Sequence, residues 1–95
     1  MGSFEIKENK EKLNEIREKI LDNIKNVKER IKRACERSGR NENEIKIVAV
    51  SKTFPSDFIK FAYEGGIRDF GENYVQEALK KINELKELKI TWHFV

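Results

Sequence analysis

The sequence predicts an α/β fold in the order helix, strand, helix, strand, helix, strand, with the strands parallel. Three observations predict it. Apolar residues follow a helical period over the opening stretch, then fall into short strand-like runs near residues 45, 67 and 90. Each gap between those runs holds one amphipathic stretch bounded by Gly, Pro or Asn. Strands joined by single helices pair in parallel through right-handed crossovers.

In the first element, Leu13, Ile16, Ile20, Ile24, Val27, Ile31 and Ala34 recur at steps of three and four, which is one stripe of an α-helix. Glu8 with Lys12, Glu15 with Lys19, and Glu29 with Arg33 add i,i+4 pairs in the favourable orientation. The helix is expected over about Asn9 to Arg37, well beyond the average of about 11–12 residues. Ser38-Gly39 supplies the stop, with Gly39 in the left-handed position after the last turn. Because the apolar steps drift from a strict seven-residue repeat, the helix is expected to lie against its own domain rather than in a coiled coil.

After the polar turn Arg40 to Glu44, Ile45 to Val50 reads as a buried strand. Pro55 and Ser56 open a second helix, with Asp57 suited to its first turn. Ile59, Ala62 and Tyr63 form its packed face, and Gly65-Gly66 ends it. Ile67 to Phe70 is a second short strand. Gly71-Glu72-Asn73 then turns the chain into a third helix that packs through Val75, Ala78, Leu79 and Ile82. Ile90 to Val95 reads as the third strand.

A chain of 95 residues is one domain, with the βα units spanning about 45–95. Charged residues make up 39%, but 20 Lys+Arg stand against 17 Asp+Glu, a formal net charge of +3. The two signs are interleaved and form no basic stripe, which argues against a nucleic-acid partner despite a pI near 9.0. Cys35 is the single cysteine, so an intrachain disulfide or a multi-cysteine metal site is excluded and a reducing cytoplasm is the natural compartment. No run approaches the ~20 apolar residues of a membrane span, and the N-terminal stretch lacks the apolar segment of a signal peptide.

The most informative side chain is Lys52, which closes the most apolar run of the sequence, Ile45 to Thr53. An amine is a nucleophile only when unprotonated, and a strand that delivers a lysine to the mouth of an apolar interior favours the neutral form. The plain alternative is a surface lysine whose stem covers apolar atoms while its head stays wet. Asn73 has two readings as well: an amide donor at the same rim, or a helix N-cap. His93 reads more readily as a hydrogen-bonded core or rim residue than as a ligand. Glu72 reads as a solvated acid at a helix start, and Trp92 and Phe94 as residues packed under the helices.

Ile47-Val48-Ala49-Val50-Ser51-Lys52-Thr53, then Phe70-Gly71-Glu72-Asn73-Tyr74-Val75-Gln76-Glu77, then Trp92-His93-Phe94 occur in order. Together they resemble the pyridoxal phosphate homeostasis proteins, the YggS-like family, from the first helix onward. The resemblance implies the type III pyridoxal-phosphate fold, a TIM-type barrel akin to the N-terminal domain of alanine racemase. It implies that Lys52 holds pyridoxal 5′-phosphate as a Schiff base, with Asn73 at the same rim. The protein would then be a carrier and regulator in vitamin B6 homeostasis, without established turnover and with no catalytic residue to assign. A racemase or decarboxylase of the same fold type, or a non-binding assembly piece, are the competing readings.

A full TIM-type barrel takes about 250 residues, so residues 1–95 are expected to form one incomplete barrel domain. In the family, the residues that cradle the cofactor phosphate come from later strands. Weak cofactor binding is therefore expected of this length of chain. Strands covered on one side only would leave an open face, and self-association or a complementary chain is expected to cover it.

Overall fold

The computed structural model describes residues 2–95, with side chains described from residue 9 onward. Helix α1 spans Gly2–Ser38, followed by a short 3-10 turn at Glu42–Glu44 and then strand β1 at Val48–Val50. Helix α2 is Ser56–Glu64, β2 is Asp69–Glu72, α3 is Val75–Glu84 and β3 is Thr91–Phe94. The strands form one parallel sheet in the order β1-β2-β3, with Val48 opposite Asp69 and Asp69 opposite Thr91. The alternation and the parallel pairing are those the sequence predicts.

Helix α1 starts earlier than the apolar stripe does, at Gly2 rather than near Asn9. It ends where expected. Gly39 has a φ of +74°, and the N–H of Arg40 reaches back to the carbonyl of Cys35 at 3.1 Å, closing the last turn. The helix packs on its own domain: Ile20 and Ile24 meet the core, and Lys28 Nζ donates to the carbonyl of Gly65 at 2.9 Å. Arg17 pairs with the carboxylate of Glu64, its Nε donating at 2.9 Å. A Cβ at Gly65 would lie 2.8 Å from Ile24 Cδ1, so glycine permits the close approach of α1 to the end of α2.

The core lies between the sheet and its helices. Ile59, Ala62, Ile67, Phe70 and Leu85 are buried, with Ile20, Ile24, Ile47, Ala49, Leu88, Ile90 and Trp92 packed around them. Burying each large apolar side chain contributes about 1.5–3 kcal/mol.

Strands β1 and β2 and the packed face of α3 differ from expectation, each for a reason of partnership. Strand β1 is shorter than Ile45–Val50 because its partner ladder begins only at Asp69. Strand β2 lies at Asp69–Glu72 instead of Ile67–Phe70, so Gly71 and Glu72 are strand residues, not a turn. The central strand is set by ladders on both sides, and all four of its residues are buried. Helix α3 buries Ala78 and Lys81, with Leu85 just beyond it, while Val75 and Leu79 are exposed at 62% and 59%. Its packed face is rotated from the apolar stripe because a buried charge occupies it.

Candidate functional site

Strand β1 alternates. Ile47 and Ala49 turn toward the helices and Ser51 is buried, while Val48 and Val50 are exposed at 41% and 52% on the opposite face of the sheet. Ser51 still belongs to the sheet, its N–H donating to the carbonyl of Gly71 at 2.9 Å. The chain then turns: the N–H of Phe54 closes back onto the carbonyl of Ser51 at 3.0 Å, with Lys52 and Thr53 at the two central positions. Thr53 has a φ of +69°, a left-handed conformation that a β-branched residue rarely adopts. Lys52 is exposed and, among the described residues, its amine has neither a hydrogen-bond nor an ion-pair partner.

Directly below the turn lies a buried polar cluster. Lys81, only 5% exposed, sends its ammonium to the carbonyl of Ser51 at 2.6 Å, to the two oxygens of Glu72 at 3.2 and 3.3 Å, and to Glu77 Oε1 at 2.7 Å. A lysine carries three N–H donors, and three acceptor groups meet them. Glu72 is fully buried and also receives the hydroxyl of Ser51. Glu77 accepts a second bond, from the backbone N–H of Thr53 at 2.6 Å. The Lys81 hydrogen bond and, after it, the Thr53 N–H hold the Glu77 carboxyl below its ordinary range, against the opposing effect of burial. The cluster leaves no buried side-chain donor or acceptor unpaired among the described residues.

Glu72 is therefore not the solvated helix-start acid the sequence suggests. It ends β2, and its charge is balanced by a lysine nine residues on. Helix α3 begins at Val75, with Tyr74 in the N-cap position and no side-chain cap. Asn73 is consequently not the N-cap; it is an exposed residue between β2 and α3. Trp92 packs against Phe70 with ring centroids 6.0 Å apart, as expected, whereas Phe94 is 58% exposed. Lys81 carries no signal in the apolar period. The i,i+4 spacing from Glu77 is the one local cue to it.

On the open face, Gly71 lies between Val50 and His93 in the sheet register. A Cβ there would meet Val48 Cγ1 at 3.7 Å, an ordinary contact, so glycine leaves a floor free of side chain. Beside it His93 Nε2 is 2.9 Å from Asp69 Oδ1, and Lys46 Nζ is 3.7 Å from the same oxygen. The hydrogen bond from His93, helped by the charge of Lys46 and opposed by burial, lowers the Asp69 carboxyl below its ordinary range. A carboxyl depressed on folding contributes stability that is present above its unfolded value and lost as pH falls through the folded one. Replacing Asp69 with Asn is thus expected to flatten the loss of stability below about pH 4, read as urea midpoints against pH beside the unmodified chain. Identical slopes would show that the pair contributes nothing.

A separate apolar cavity of about 480 Å³ lies between α1, α2 and β1, walled by residues including Ile20, Ile24, Phe54, Phe58 and Phe70. It lies on the helix side of the sheet, and its almost wholly apolar wall suits no anionic or carbonyl ligand.

No family model matches the chain. Curated proteins do. The chain is 47% identical over 74 residues to the pyridoxal phosphate homeostasis protein of Aquifex aeolicus, covering 78% of this chain and 32% of that protein. It is 46% identical over 76 residues to the protein of that name from Pseudomonas aeruginosa, covering 80% and 33%. Among solved structures, PipY of Synechococcus elongatus superposes with a TM-score of 0.54 at 39% identity, over 68% of this chain and 31% of that one. PipY has been solved both without and with pyridoxal phosphate bound. A protein from Bifidobacterium adolescentis superposes with a TM-score of 0.73 at 26% identity, over 84% of this chain and 37% of that one. The chain spans about a third of the length of the curated relatives it matches.

Proposed function

The chain is related by descent to the pyridoxal phosphate homeostasis proteins over about a third of their length, and on that premise we propose that it is the lysine-bearing part of a barrel that binds pyridoxal 5′-phosphate in cytoplasmic vitamin B6 homeostasis. One observation carries this reading. Among the described residues the amine of Lys52 has no partner, and it stands on a turn whose backbone is held on both sides of it by the Lys81 cluster.

The residues present fit such a group at its reactive end. When bound, the cofactor would supply an aldehyde able to condense with an unprotonated lysine amine, releasing one water, and Lys52 would be the residue to hold it. What the chain supplies is an amine on the turn that follows β1, past the C-terminal end of a strand, where barrel active sites are built. Ser51 and Thr53, on either side of Lys52, are the fixed points. Asn73, exposed just past β2, is the candidate amide donor to a cofactor oxygen. Borohydride reduction in the presence of the cofactor, followed by peptide mass analysis, is expected to place the dominant adduct on Lys52 and to leave only the background of the exposed lysines after Lys52→Arg. Labelling spread evenly over the surface lysines would reject the assignment.

The open face bears on the state of the chain in solution. Val48 and Val50 are exposed there, and parallel sheets are ordinarily covered on both faces. Strands β1 and β3 are also both edges, with backbone groups free to pair. A second polypeptide is expected to cover this face. Sedimentation should show association at micromolar concentration, and a single monomeric boundary would overturn it.

A further inference from the structure

We propose that Lys81 is the positioning residue for the reactive turn: its buried ammonium fixes the direction of Lys52 by holding the backbone on both sides of it. The inference rests on the reading of Lys52 as the attachment point, and it assigns to a residue of α3 a role in that attachment.

The geometry is specific. A buried lysine that served packing alone would need only its stem covered and its charge balanced. The fully buried carboxylate of Glu72 already balances that charge. Lys81 does more. It bonds the carbonyl of Ser51, the residue before Lys52, at 2.6 Å. It also bonds Glu77, whose same oxygen accepts the N–H of Thr53, the residue after Lys52, at 2.6 Å. Lys52 is thus bracketed by two backbone groups tied to one ammonium, directly and through one carboxylate. Both ties are charge-assisted, and such bonds are shorter and roughly twice as strong as neutral ones.

The left-handed backbone at Thr53 is what the clamp has to maintain. Left to itself, a β-branched residue leaves that region, and the peptide groups on either side of Lys52 then reorient. An attacking amine must be held within a narrow range of angle and distance of its target. The clamp supplies this on the protein side while leaving the Lys52 side chain itself free to react.

Two variants of the full chain test the proposal, Lys81→Met and Glu77→Ala. The second leaves Lys81 bonded to Glu72 and to Ser51, so it keeps the test decisive if the first fails to fold. Two readouts are followed: hydrogen exchange at the Thr53 amide relative to the Phe70 amide, and the rate at which Lys52 is trapped by pyridoxal phosphate and borohydride relative to an exposed reference lysine, Lys60. Loss of one charge-assisted bond is expected to speed Thr53 exchange about tenfold with Phe70 unchanged, and to lower trapping at Lys52 but not at Lys60. Thr53 exchange that stays at the unmodified rate, or that rises only together with Phe70, overturns the clamp. So does unchanged trapping at Lys52. If the unmodified chain is not trapped at Lys52 at all, the functional reading itself fails, and the exchange data distinguish that failure from the loss of the clamp.

Discussion

Glu72→Ala is expected to lower the unfolding free energy by about 3–5 kcal/mol, a large part of what a domain of this size possesses. The side chain is fully buried, and that of its partner Lys81 is nearly so. Removing the carboxylate leaves the ammonium with Glu77, a side chain 29% exposed, and with a neutral carbonyl. It also deprives the Ser51 hydroxyl of its acceptor on Glu72. Most of the loss therefore comes from a buried ammonium left incompletely compensated, by one partly exposed carboxylate, rather than from the attraction removed. The double variant Glu72→Ala with Lys81→Met separates the two contributions. Taking out both charges should restore part of the stability, because an apolar side chain of similar length tolerates burial. Urea unfolding of the two single variants and the double gives the coupling directly. A single-variant loss within the ±0.5 kcal/mol of ordinary surface changes would contradict the burial of this pair.

Phe70→Ala is the second large effect, about 3–5 kcal/mol. Phe70 is 1% exposed on the central strand, opposite Ala49 on one side and Trp92 on the other. Its ring is tilted 42° to that of Trp92 and joins the buried cluster with Ile59, Ala62, Ile67 and Leu85. Truncation removes both the transfer term and the filling of a space that two helices and the sheet cannot collapse to close. Phe94 provides the control. It is also a strand phenylalanine but is 58% exposed, so Phe94→Ala should change stability by no more than about 0.5 kcal/mol. Thermal unfolding of both variants checks the contrast. Similar losses for the two would mean that the core does not centre on Phe70.

The elements that local chemistry determines were legible in the sequence. The stripe from Leu13 to Ala34 marked α1, Gly39 marked its end, and the single helices between apolar runs marked a parallel sheet. Lys52 stood out because a recognisable string of residues surrounds it, but it reads there as the end of a strand, whereas it lies exposed in the turn after β1. Features that depend on distant partners were not. Strand β2 reaches Glu72 because ladders on either side carry it there, although Gly71 looks like the start of a turn. The packed face of α3 is set by Lys81, and a lysine beside another lysine reads as solvent-facing until Glu72 and Ser51 are brought to it. Val75 and Leu79, apolar and correctly spaced, are exposed instead. The partner of His93 was hidden for the same reason: Asp69 is 24 residues away in sequence and two neighbouring strands bring them together.

The backbone at Thr53 gives the rim an energetic character of its own. A β-branched residue confined to the left-handed basin carries a conformational penalty of about 1–3 kcal/mol, borne by the surrounding structure. The hydrogen bonds of Lys81 and Glu77 to residues 51 and 53 offset that penalty, so the turn keeps its conformation only while the buried cluster beneath it is intact.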